Sequence, residues 1–231
     1  MTAAPALPEG AAKVAAVRSM FDAIAPRYDL MNTLMTFGLD RGWRRRAVRA
    51  LDLPAAARVL DVACGPGELC VALARAGQRP IGIDLSRGML DKAVTAAPLV
   101  HGDALALPFA DGSVDGVVSG WALRNVADLP SLWAELARVV RPGGRIALLE
   151  VAEPRSAVLR AGHRVYFGSV VPRLGGLLSD ADAYAYLPRS VAYLPSPPVM
   201  LDQLRDAGFA TVTRSLLTLG VTQLVTATRR R

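Results

Sequence analysis

Hydrophobic positions along the chain change from helical spacing to short continuous runs near residue 57. Before that point, apolar residues such as Val14, Val17, Phe21 and Ile24 recur at helical spacing, which predicts two or three short helices. Beyond it, short apolar runs alternate with helical stretches. The runs predict strands at 58–63, 79–83, 99–101, 114–120 and 145–151, and the helical stretches lie at 68–76, 87–96 and about 128–140.

The chain after residue 151 adds two more predicted strands. A helical stripe from Leu159 to Val170 precedes residues 172–198, whose five prolines and Gly-Gly pair predict a long surface excursion that acts as a lid. A helix at 199–207 then leads to strands at 209–217 and 221–228. Strands that alternate with helices at this spacing favour a parallel sheet with right-handed crossovers. The predicted fold is therefore α/β, a doubly wound, mostly parallel seven-stranded sheet of the Rossmann-like type.

The length of 231 residues fits one large domain, because no flexible spacer divides the chain. We expect a helical cover at 1–52 and a core at 53–231 that carries the lid insertion at about 156–198. The hydrophobic content of 52% and the mean hydropathy of +0.30 exclude a disordered chain. No apolar run reaches the length of about 18 residues that a spanning helix needs, and the first ten residues do not resemble a secretory signal.

The two cysteines and the net charge narrow the possible classes of site and partner. The two cysteines, Cys64 and Cys70, fit neither a zinc site nor a disulfide framework, so we expect no metal and a cytoplasmic location. The net charge of +7 comes almost entirely from arginine, and one dense arginine cluster lies at 41–49. Without an aromatic stacking pattern, this distribution argues against nucleic acid. It favours contact with anionic lipid headgroups, although a solvated helix face explains the cluster taken alone.

Acidic and glycine residues follow the predicted strands at the edge where a ligand would bind. In an open parallel sheet the ligand lies beyond the carboxyl ends of the strands, at the switch point of the strand order. Asp61, Gly65 and Gly67 follow the first strand, Asp84 ends the second, Asp103 follows the third and Gly120 ends the fourth. Each of these alone is more often a turn or cap residue, but together they favour a nucleotide-like cofactor.

Three features favour S-adenosylmethionine over NAD. The third glycine of a dinucleotide-binding motif is absent, since Cys70 occupies its place. Asp61, just before the glycines, would repel a phosphate but attract the ammonium of an amino acid. Asp84 is placed to accept hydrogen bonds from ribose hydroxyls, which serves NAD equally well, but the third acid, Asp103, follows the third strand where it can accept one from the adenine amine. The sequence therefore predicts a methyltransferase.

The chain also resembles the quinone-biosynthesis C-methyltransferases, which make menaquinone from demethylmenaquinone and methylate the ubiquinone precursor. The resemblance covers residues 17 to about 225, and the motifs that carry it are Met20-Phe21-Asp22-x-Ile24-Ala25-x-x-Tyr28-Asp29-x-x-Asn32, Leu60-Asp61-Val62-Ala63-Cys64-Gly65-Pro66-Gly67, Gly102-Asp103-Ala104 with Leu107-Pro108-Phe109, Leu123-Arg124-Asn125-Val126, Arg141-Pro142-Gly143-Gly144, Leu149-Glu150, Tyr184-x-Tyr186-Leu187 with Ser190, and Ala207-Gly208-Phe209. The second motif is shared by many class I methyltransferases, whereas the first and the fourth are more specific to this family.

The resemblance implies a set of site residues. The expected cofactor contacts are Asp61, Gly65, Pro66, Gly67, Asp84, Leu85, Asp103, Ala104 and Gly120. The expected catalytic residues are Arg124 and Asn125, which would hold a phenolic oxygen and a water, and Tyr28, which would close over the site from the N-terminal helices. Arg124 would stabilise the phenolate, because its own pKa is too high for a conventional base.

At four positions the chain departs from the family pattern. Pro66 replaces a usual Thr, Gly120 replaces a frequent Ser, and Trp121-Ala122 replaces Phe-Gly. These changes remove two hydroxyl contacts to the cofactor and make the floor near the substrate bulkier.

The sequence therefore predicts an S-adenosylmethionine-dependent C-methyltransferase that acts on a ring carbon of a prenylated quinol, with demethylmenaquinol as the first candidate. The alternatives are another aromatic or natural-product substrate, or a methyltransferase fold without catalysis. We expect peripheral contact with the inner face of the membrane, a homodimer, and no nucleic-acid partner.

Overall fold

A seven-stranded sheet forms the centre of the computed structural model, which describes residues 8–171, 186 and 189–231. The strands are β1 (Arg58–Val62), β2 (Arg79–Asp84), β3 (Leu99–His101), β4 (Val114–Gly120), β5 (Val140–Val151), β6 (Phe209–Leu217) and β7 (Thr222–Arg229). Their order in space is β3-β2-β1-β4-β5-β7-β6. Strands β1 to β5 are parallel, and β7 runs antiparallel to both of its neighbours. This confirms the predicted doubly wound, mostly parallel sheet.

Eight α-helices in the described residues surround the sheet. They are α1 (Gly10–Ile24), α2 (Tyr28–Thr36), α3 (Asp40–Leu51), α4 (Glu68–Arg75), α5 (Arg87–Leu90), α6 (Leu129–Val139), α7 (Ala157–Val165) and α8 (Pro197–Asp206). A π-helical turn at Tyr166–Val170 follows α7. Asp128 accepts the backbone N–H of Ser131 and so caps α6. None of the helices in the described part of the chain is long and apolar enough to cross a bilayer.

Two hydrophobic clusters cover the two faces of the sheet. On one face, α6 and α8 bury Trp133, Leu136 and Met200 against Phe209 and the strands. On the other, Trp43, Leu51 and Leu73 from α3 and α4 pack against residues of β1, β4, β5 and β7. Because both faces are covered, the central strands are apolar on both sides, which explains their continuous apolar runs in the sequence.

Two predicted boundaries were wrong by five residues or more, whereas the others agree to within two residues. The helix after β2 was expected to reach residue 96 but ends at Leu90, since the chain turns back so that the Val94 N–H donates to the carbonyl of Pro66 at 2.9 Å. β-Branched Val94 and Thr95 also disfavour continuation of the helix. Strand β5 starts at Val140 rather than at residue 145, because Gly143 adopts a φ of +78° and lets the strand accommodate an irregularity in its pairing with β4.

The predicted lid falls largely on residues 172–185, 187 and 188, which lie outside the described residues. Its last part is helical, since α8 begins at Pro197 rather than at residue 199. Proline suits the first turn of a helix, where its missing N–H would have no partner.

Candidate active site

A crevice opens at the carboxyl edge of the sheet, where β1 and β4 are neighbours and the strand order reverses. It contains about 850 Å³ of empty space, including space open to solvent. Its walls include most of the predicted site residues, namely Tyr28, Gly65, Asp84, Leu85, Asp103, Ala104, Gly120 and Asn125. Asp61, Pro66, Gly67 and Arg124 lie behind these walls rather than on them.

The turn after β1 has the backbone shape that its glycines suggest. Gly65 and Gly67 have backbone φ angles of +56° and +88°. Residues other than glycine rarely adopt this left-handed region. A Cβ at Gly67 would also lie 2.4 Å from Cγ2 of Thr95. The turn therefore brings backbone close to the crevice, with Gly65 facing the ring of Tyr28.

Asp84 links two loops at the crevice wall. Its two carboxylate oxygens accept the backbone N–H groups of Gly65 at 2.7 Å and of Ser86 at 2.8 Å. Burial raises the pKa of Asp84 above its ordinary value. Each oxygen retains a lone pair, so the side chain is fixed in place and can still accept hydrogen bonds from two hydroxyls.

Asp103 occupies the corresponding position after β3. One of its oxygens accepts the backbone N–H of Leu105 at 2.9 Å, and the residue is half-buried at the crevice wall. His101, one residue before Gly102, is exposed and bonds to the carbonyl of Leu85 at 3.0 Å. His101 therefore supports the loop, while Asp103 presents an acceptor to the crevice.

Asp61 is fully buried beneath the glycine turn. One of its oxygens accepts a hydrogen bond from the Cys70 thiol at 3.4 Å, and the other, Oδ1, is buried and has no hydrogen-bond partner in the described residues. Burial is the main cause that raises the pKa of Asp61 to about 7. A buried carboxylate oxygen without a donor is costly, so a cationic group with N–H donors fits this end of the crevice.

Helices α1 and α2 close the crevice on the side away from the sheet. Val14, Val17 and Phe21 line it with apolar surface. Asp22 fastens α1 to the loop after β2, because its carboxylate accepts the Ser86 hydroxyl at 2.5 Å and the Gly88 backbone N–H at 2.9 Å. The hydrogen bond from Ser86 is the main cause that lowers the pKa of Asp22.

Arg124 is oriented differently from the expectation that it faces a substrate. It lies in a buried 3-10 turn, Leu123–Asn125, and its guanidinium pairs with Glu150 and donates to the carbonyl of Trp121 at 2.7 Å. The backbone N–H of Arg124 donates to the same carboxylate at 3.1 Å. Glu150 is fully buried in β5, and a buried carboxylate needs a cation beside it, which explains the direction of the arginine.

Asn125 and Tyr28 do reach the crevice. The Oδ1 atom of Asn125 accepts the hydroxyl of Tyr186 at 3.3 Å. Burial raises the pKa of Tyr28, and it raises that of Tyr186 to about 12. The Tyr28 hydroxyl and the Asn125 amide therefore line the crevice and can bind a phenolic oxygen, while the Tyr186 hydroxyl holds the amide in place.

A buried ion network supports the floor of the crevice. Arg44 pairs with Asp40 and Glu68, and its guanidinium lies 5.4 Å from the ring centre of Trp121. Arg44 is therefore unavailable to lipid headgroups, unlike the other arginines of the 41–49 cluster, which are exposed.

Sequence reasoning missed several residues that shape the site, namely Arg18, Asp22, Ser86, Glu150 and Tyr186. Asp22, Glu150 and Tyr186 stood in the motifs that carried the resemblance, but nothing in their spacing indicated their partners. Glu150 lies 26 residues from Arg124, and Ser86 lies 64 residues from Asp22.

Comparison with known proteins agrees with this geometry. The model of the ubiE/COQ5 methyltransferase family matches residues 10–229. The chain is 44% identical over 216 residues to the demethylmenaquinone methyltransferase of Deinococcus radiodurans, covering 89% of each chain. It is 41% identical over 232 residues to the enzyme of the same name from Roseiflexus castenholzii, covering 97% of this chain and 98% of the relative.

Solved structures share the fold at lower identity. A methyltransferase of Haloferax volcanii, solved with the Trm112 methyltransferase activator, has a TM-score of 0.69 at 20% identity, covering 93% of this chain and 98% of that one. Phosphoethanolamine N-methyltransferase 2 of Haemonchus contortus, in complex with S-adenosyl-L-methionine, has a TM-score of 0.62 at 14% identity, covering 82% of this chain and 53% of that one. The family model and the close relatives, together with the crevice, lead to one conclusion: the chain belongs to the ubiE/COQ5 methyltransferase family.

Proposed function

We propose that the protein transfers a methyl group from S-adenosylmethionine to a ring carbon of a prenylated quinol, converting demethylmenaquinol to menaquinol. The observation that carries this proposal is the division of one crevice into two chemically different ends. Asp84 and Asp103 follow β2 and β3, and the unpartnered Oδ1 of Asp61 is buried behind the wall at β1, whereas Asn125 follows β4 on the other side of the switch point. Tyr28 and apolar side chains of α1 cover the crevice. Relatives at 37–44% identity are named demethylmenaquinone methyltransferases.

The acidic end suits the cofactor group by group. Asp84 would accept the ribose hydroxyls, Asp103 the adenine amine, and Asp61 would face the ammonium from beneath the turn that Gly65, Pro66 and Gly67 form. Leu85, Ala104 and Gly120 would contact its apolar surfaces. When bound, the cofactor supplies an electrophilic methyl group. The fixed positions of the three acids orient that methyl group toward the other end of the crevice.

The second end must hold a quinol and help it lose a proton. A ring carbon becomes nucleophilic when a neighbouring hydroxyl is partly deprotonated, so the site must stabilise a phenolate. We place Asn125 and Tyr28 at the phenolic oxygen as hydrogen-bond donors. Arg124 acts through Asn125, because Glu150 holds both its backbone and its guanidinium and so fixes the turn that carries the amide.

A different aromatic substrate is the second candidate. Trp121 lines the crevice in a left-handed conformation, with φ of +56°, and its ring packs against that of Trp43 at 5.9 Å with an angle of 56° between the ring planes. The floor near the substrate is therefore both bulky and rigid. Such a floor favours a flat, wide ring, and it would also admit a soluble polycyclic phenol.

A turnover assay separates the two candidates. Purified protein, S-adenosylmethionine and demethylmenaquinol in detergent should give menaquinol, while a soluble naphthalenediol without a prenyl tail should react more slowly. Faster turnover of the soluble phenol would favour the second candidate. No turnover of either, with calorimetry showing cofactor binding, would indicate a fold that has lost catalysis.

A prenylated substrate also suggests where the protein works. We propose that it acts from the cytoplasm at the inner face of the membrane, where such a substrate dissolves, and that it assembles as a homodimer. Light scattering of the purified protein measures the mass of the assembly, and fractionation of cells measures the share bound to membranes.

A further inference from the structure

A second cavity lies apart from the crevice, between the start of α7 and the turn that joins β6 to β7. It contains about 840 Å³ of empty space, including space open to solvent. Its lining consists of two arginines, one serine and apolar or small residues, namely Arg155, Arg214, Ser156, Leu159, Leu216, Leu219 and Gly220. It shares no lining residue with the crevice, and nothing in the proposed reaction uses it.

The two arginines of this cavity have no carboxylate partner in the described part of the chain. Several half-buried or buried arginines do have one, since Arg44 pairs with Asp40, Arg124 with Glu150 and Arg138 with Glu135. Half-buried Arg229 instead donates to the backbone carbonyls of Ala137 and Gly208. Arg214 is half-buried, and burial followed by the nearby positive charge of Arg155 lowers its pKa. Two guanidinium groups thus face one cavity and repel each other, and an anion between them would remove that repulsion.

Arg214 is also held in position. Its Nε–H donates to the side-chain oxygen of Gln223, and the amide nitrogen of Gln223 donates to the carbonyl of Val151 at 2.9 Å. Within the described residues, the terminal nitrogens of Arg214 have no protein acceptor and remain available. A fixed, planar guanidinium with free N–H groups is the geometry that binds phosphate oxygens in pairs.

Exposed apolar side chains surround this cavity. Most of the large exposed apolar side chains in the described residues come from three segments: α2 with the turn after it, α7, and the turn at 218–220. They are Leu30, Leu34, Phe37, Leu39, Val158, Leu159, Val165 and Leu219, and only Val94 and Val199 lie elsewhere in the described residues. Val158, Phe37 and Leu219 are 81%, 78% and 73% exposed.

The three segments are neighbours in space. The hydroxyl of Tyr166, just after α7, donates to the carbonyl of Met35 at 3.2 Å, and its ring lies 5.8 Å from that of Phe37. The indole N–H of Trp43 in α3 donates to the hydroxyl of Thr218 at 2.7 Å. Phe37 therefore lies beside α7, and Leu159 and Leu219 line the same cavity. Exposed apolar surface next to a cavity of this kind marks an interaction site.

We propose that the cavity binds the phosphate of an anionic phospholipid between Arg155 and Arg214, and that Leu219 and Val158 insert into the surrounding acyl region. The charge complementarity of the paired arginines selects a lipid surface over a protein partner with a neutral apolar face. Interfacial binding of this type combines buried apolar area with attraction to anionic headgroups. The lipid site itself does not depend on the proposed function. Only the biological purpose of the site rests on that function, because lipid binding would bring the enzyme to a substrate dissolved in the bilayer.

Co-sedimentation with vesicles tests the site. The protein is mixed with vesicles of phosphatidylcholine alone or of phosphatidylcholine with phosphatidylglycerol, and the bound fraction is measured. The Arg155→Gln/Arg214→Gln variant should bind the anionic vesicles roughly 30-fold more weakly, from the contribution of two arginines near an anionic surface. The matched control is Arg75→Gln/Arg79→Gln, which removes the same charge from exposed residues at the amino edge of the sheet. The control should change binding by less than about threefold.

Two results would overturn the proposal. Equal loss in both double variants would show that net charge alone attracts the protein to vesicles. Calorimetric binding of inorganic phosphate that depends on Arg155 and Arg214, with vesicle binding unchanged in their double variant, would show a site for a free anion. Leu219→Ser should weaken vesicle binding in high salt, and unchanged binding there would disprove the insertion.

A soluble substrate analogue keeps this test separate from the proposed function. With a short-tailed, water-soluble demethylmenaquinol analogue, the Arg155→Gln/Arg214→Gln variant should turn over like the wild type, and it should be slower only with substrate in vesicles. If the wild type fails to methylate the analogue, the proposed function fails, and the vesicle-binding comparison still decides the lipid site.

Discussion

At the scale of single residues, the three acids of the crevice differ in their surroundings and so in their expected roles. Asp84 is held by two backbone N–H groups, Asp103 by one, and Asp61 by a thiol. A carboxylate that is already held in place loses less conformational entropy when it binds a ligand. Asp84 is therefore the best organised of the three for recognition of the cofactor.

Replacement of Asp84 by Ala should weaken S-adenosylmethionine binding by roughly 1.5–3 kcal/mol, the range for hydrogen bonds to a charged group. Titration calorimetry measures the change. Asp91→Ala is a suitable control, because Asp91 is an exposed acid in the same loop region that pairs with Arg87. Equal affinities of the Asp84 variant and the wild type would remove Asp84 from the site.

The raised pKa of Asp61 predicts a pH dependence of cofactor binding. Below its pKa of about 7 the folded protein holds a proton on this carboxyl, whereas the ammonium of the cofactor favours the carboxylate. Affinity should therefore rise as the pH increases from 6 to 8, by up to about tenfold per unit below the pKa. In Asp61→Asn the affinity should stay flat over that window. A parallel rise in the variant would assign the dependence to another group.

Arg124 requires a double substitution, because its removal leaves Glu150 buried without a partner. Arg124→Ala should destabilise the protein by roughly 3–5 kcal/mol. Adding Glu150→Gln should restore most of the stability, while kcat stays about 100-fold below that of the wild type, because the turn that carries Asn125 is no longer held, with little change in cofactor affinity. Thermal unfolding and kcat are measured on both variants and on Arg124→Lys, which should recover part of kcat. A double variant with the kcat of the wild type would show that Arg124 has a structural role only.

At the scale of elements, the placement of α1 depends on a few polar contacts to the sheet. Asp22 binds the loop after β2, and Lys13 donates to the carbonyl of Val126 at 2.7 Å while its ammonium lies 3.5 Å from the ring centre of Tyr193. One helix is thus joined to both ends of the crevice. A change in these contacts should affect cofactor and substrate together.

Asp22→Ala should weaken this attachment, because the Ser86 hydroxyl and the Gly88 N–H lose their acceptor. We expect a lower cofactor affinity and a lower kcat, with global stability reduced by about 1 kcal/mol. Ser86→Ala removes the same hydrogen bond and also the cap that its hydroxyl gives to the Met89 N–H at 3.1 Å. In the double variant the combined loss should therefore be smaller than the sum of the two single losses. Fully additive losses would mean that the two residues act separately.

The sequence predicted the elements better than it predicted their contacts. The limits of β3, β4 and β6 agree with the predicted ranges, because each is a continuous or alternating apolar run between turn residues. The helix after β2 was predicted too long, since the Val94 N–H turns away to the carbonyl of Pro66, which lies far back along the chain. The direction of Arg124 could not be predicted for the same reason, because it depends on Glu150 in another strand.

At the scale of the whole molecule, stability should depend on pH through Lys13. This buried ammonium has a pKa lowered by burial from 10.5 to about 8. Between pH 8 and 10.5 the unfolded chain binds a proton here that the folded chain has released, so this group makes the folded state more stable as the pH rises through that window. In Lys13→Met this contribution should be absent. Chemical denaturation of both proteins at pH 7, 8 and 9 measures the difference, and parallel curves would contradict the assignment.

The position of β7 has a consequence for synthesis of the chain on the ribosome. This strand is made last of the seven, yet it lies between β5 and β6 and pairs with both. While the nascent chain is still being extended, β5 has an open edge on that side and β6 has no neighbour in the sheet. An unpaired strand edge can join to another chain, so aggregation is most probable in the interval before residues 222–229 emerge. Completion of the sheet is thus delayed until residues 222–229 have been translated.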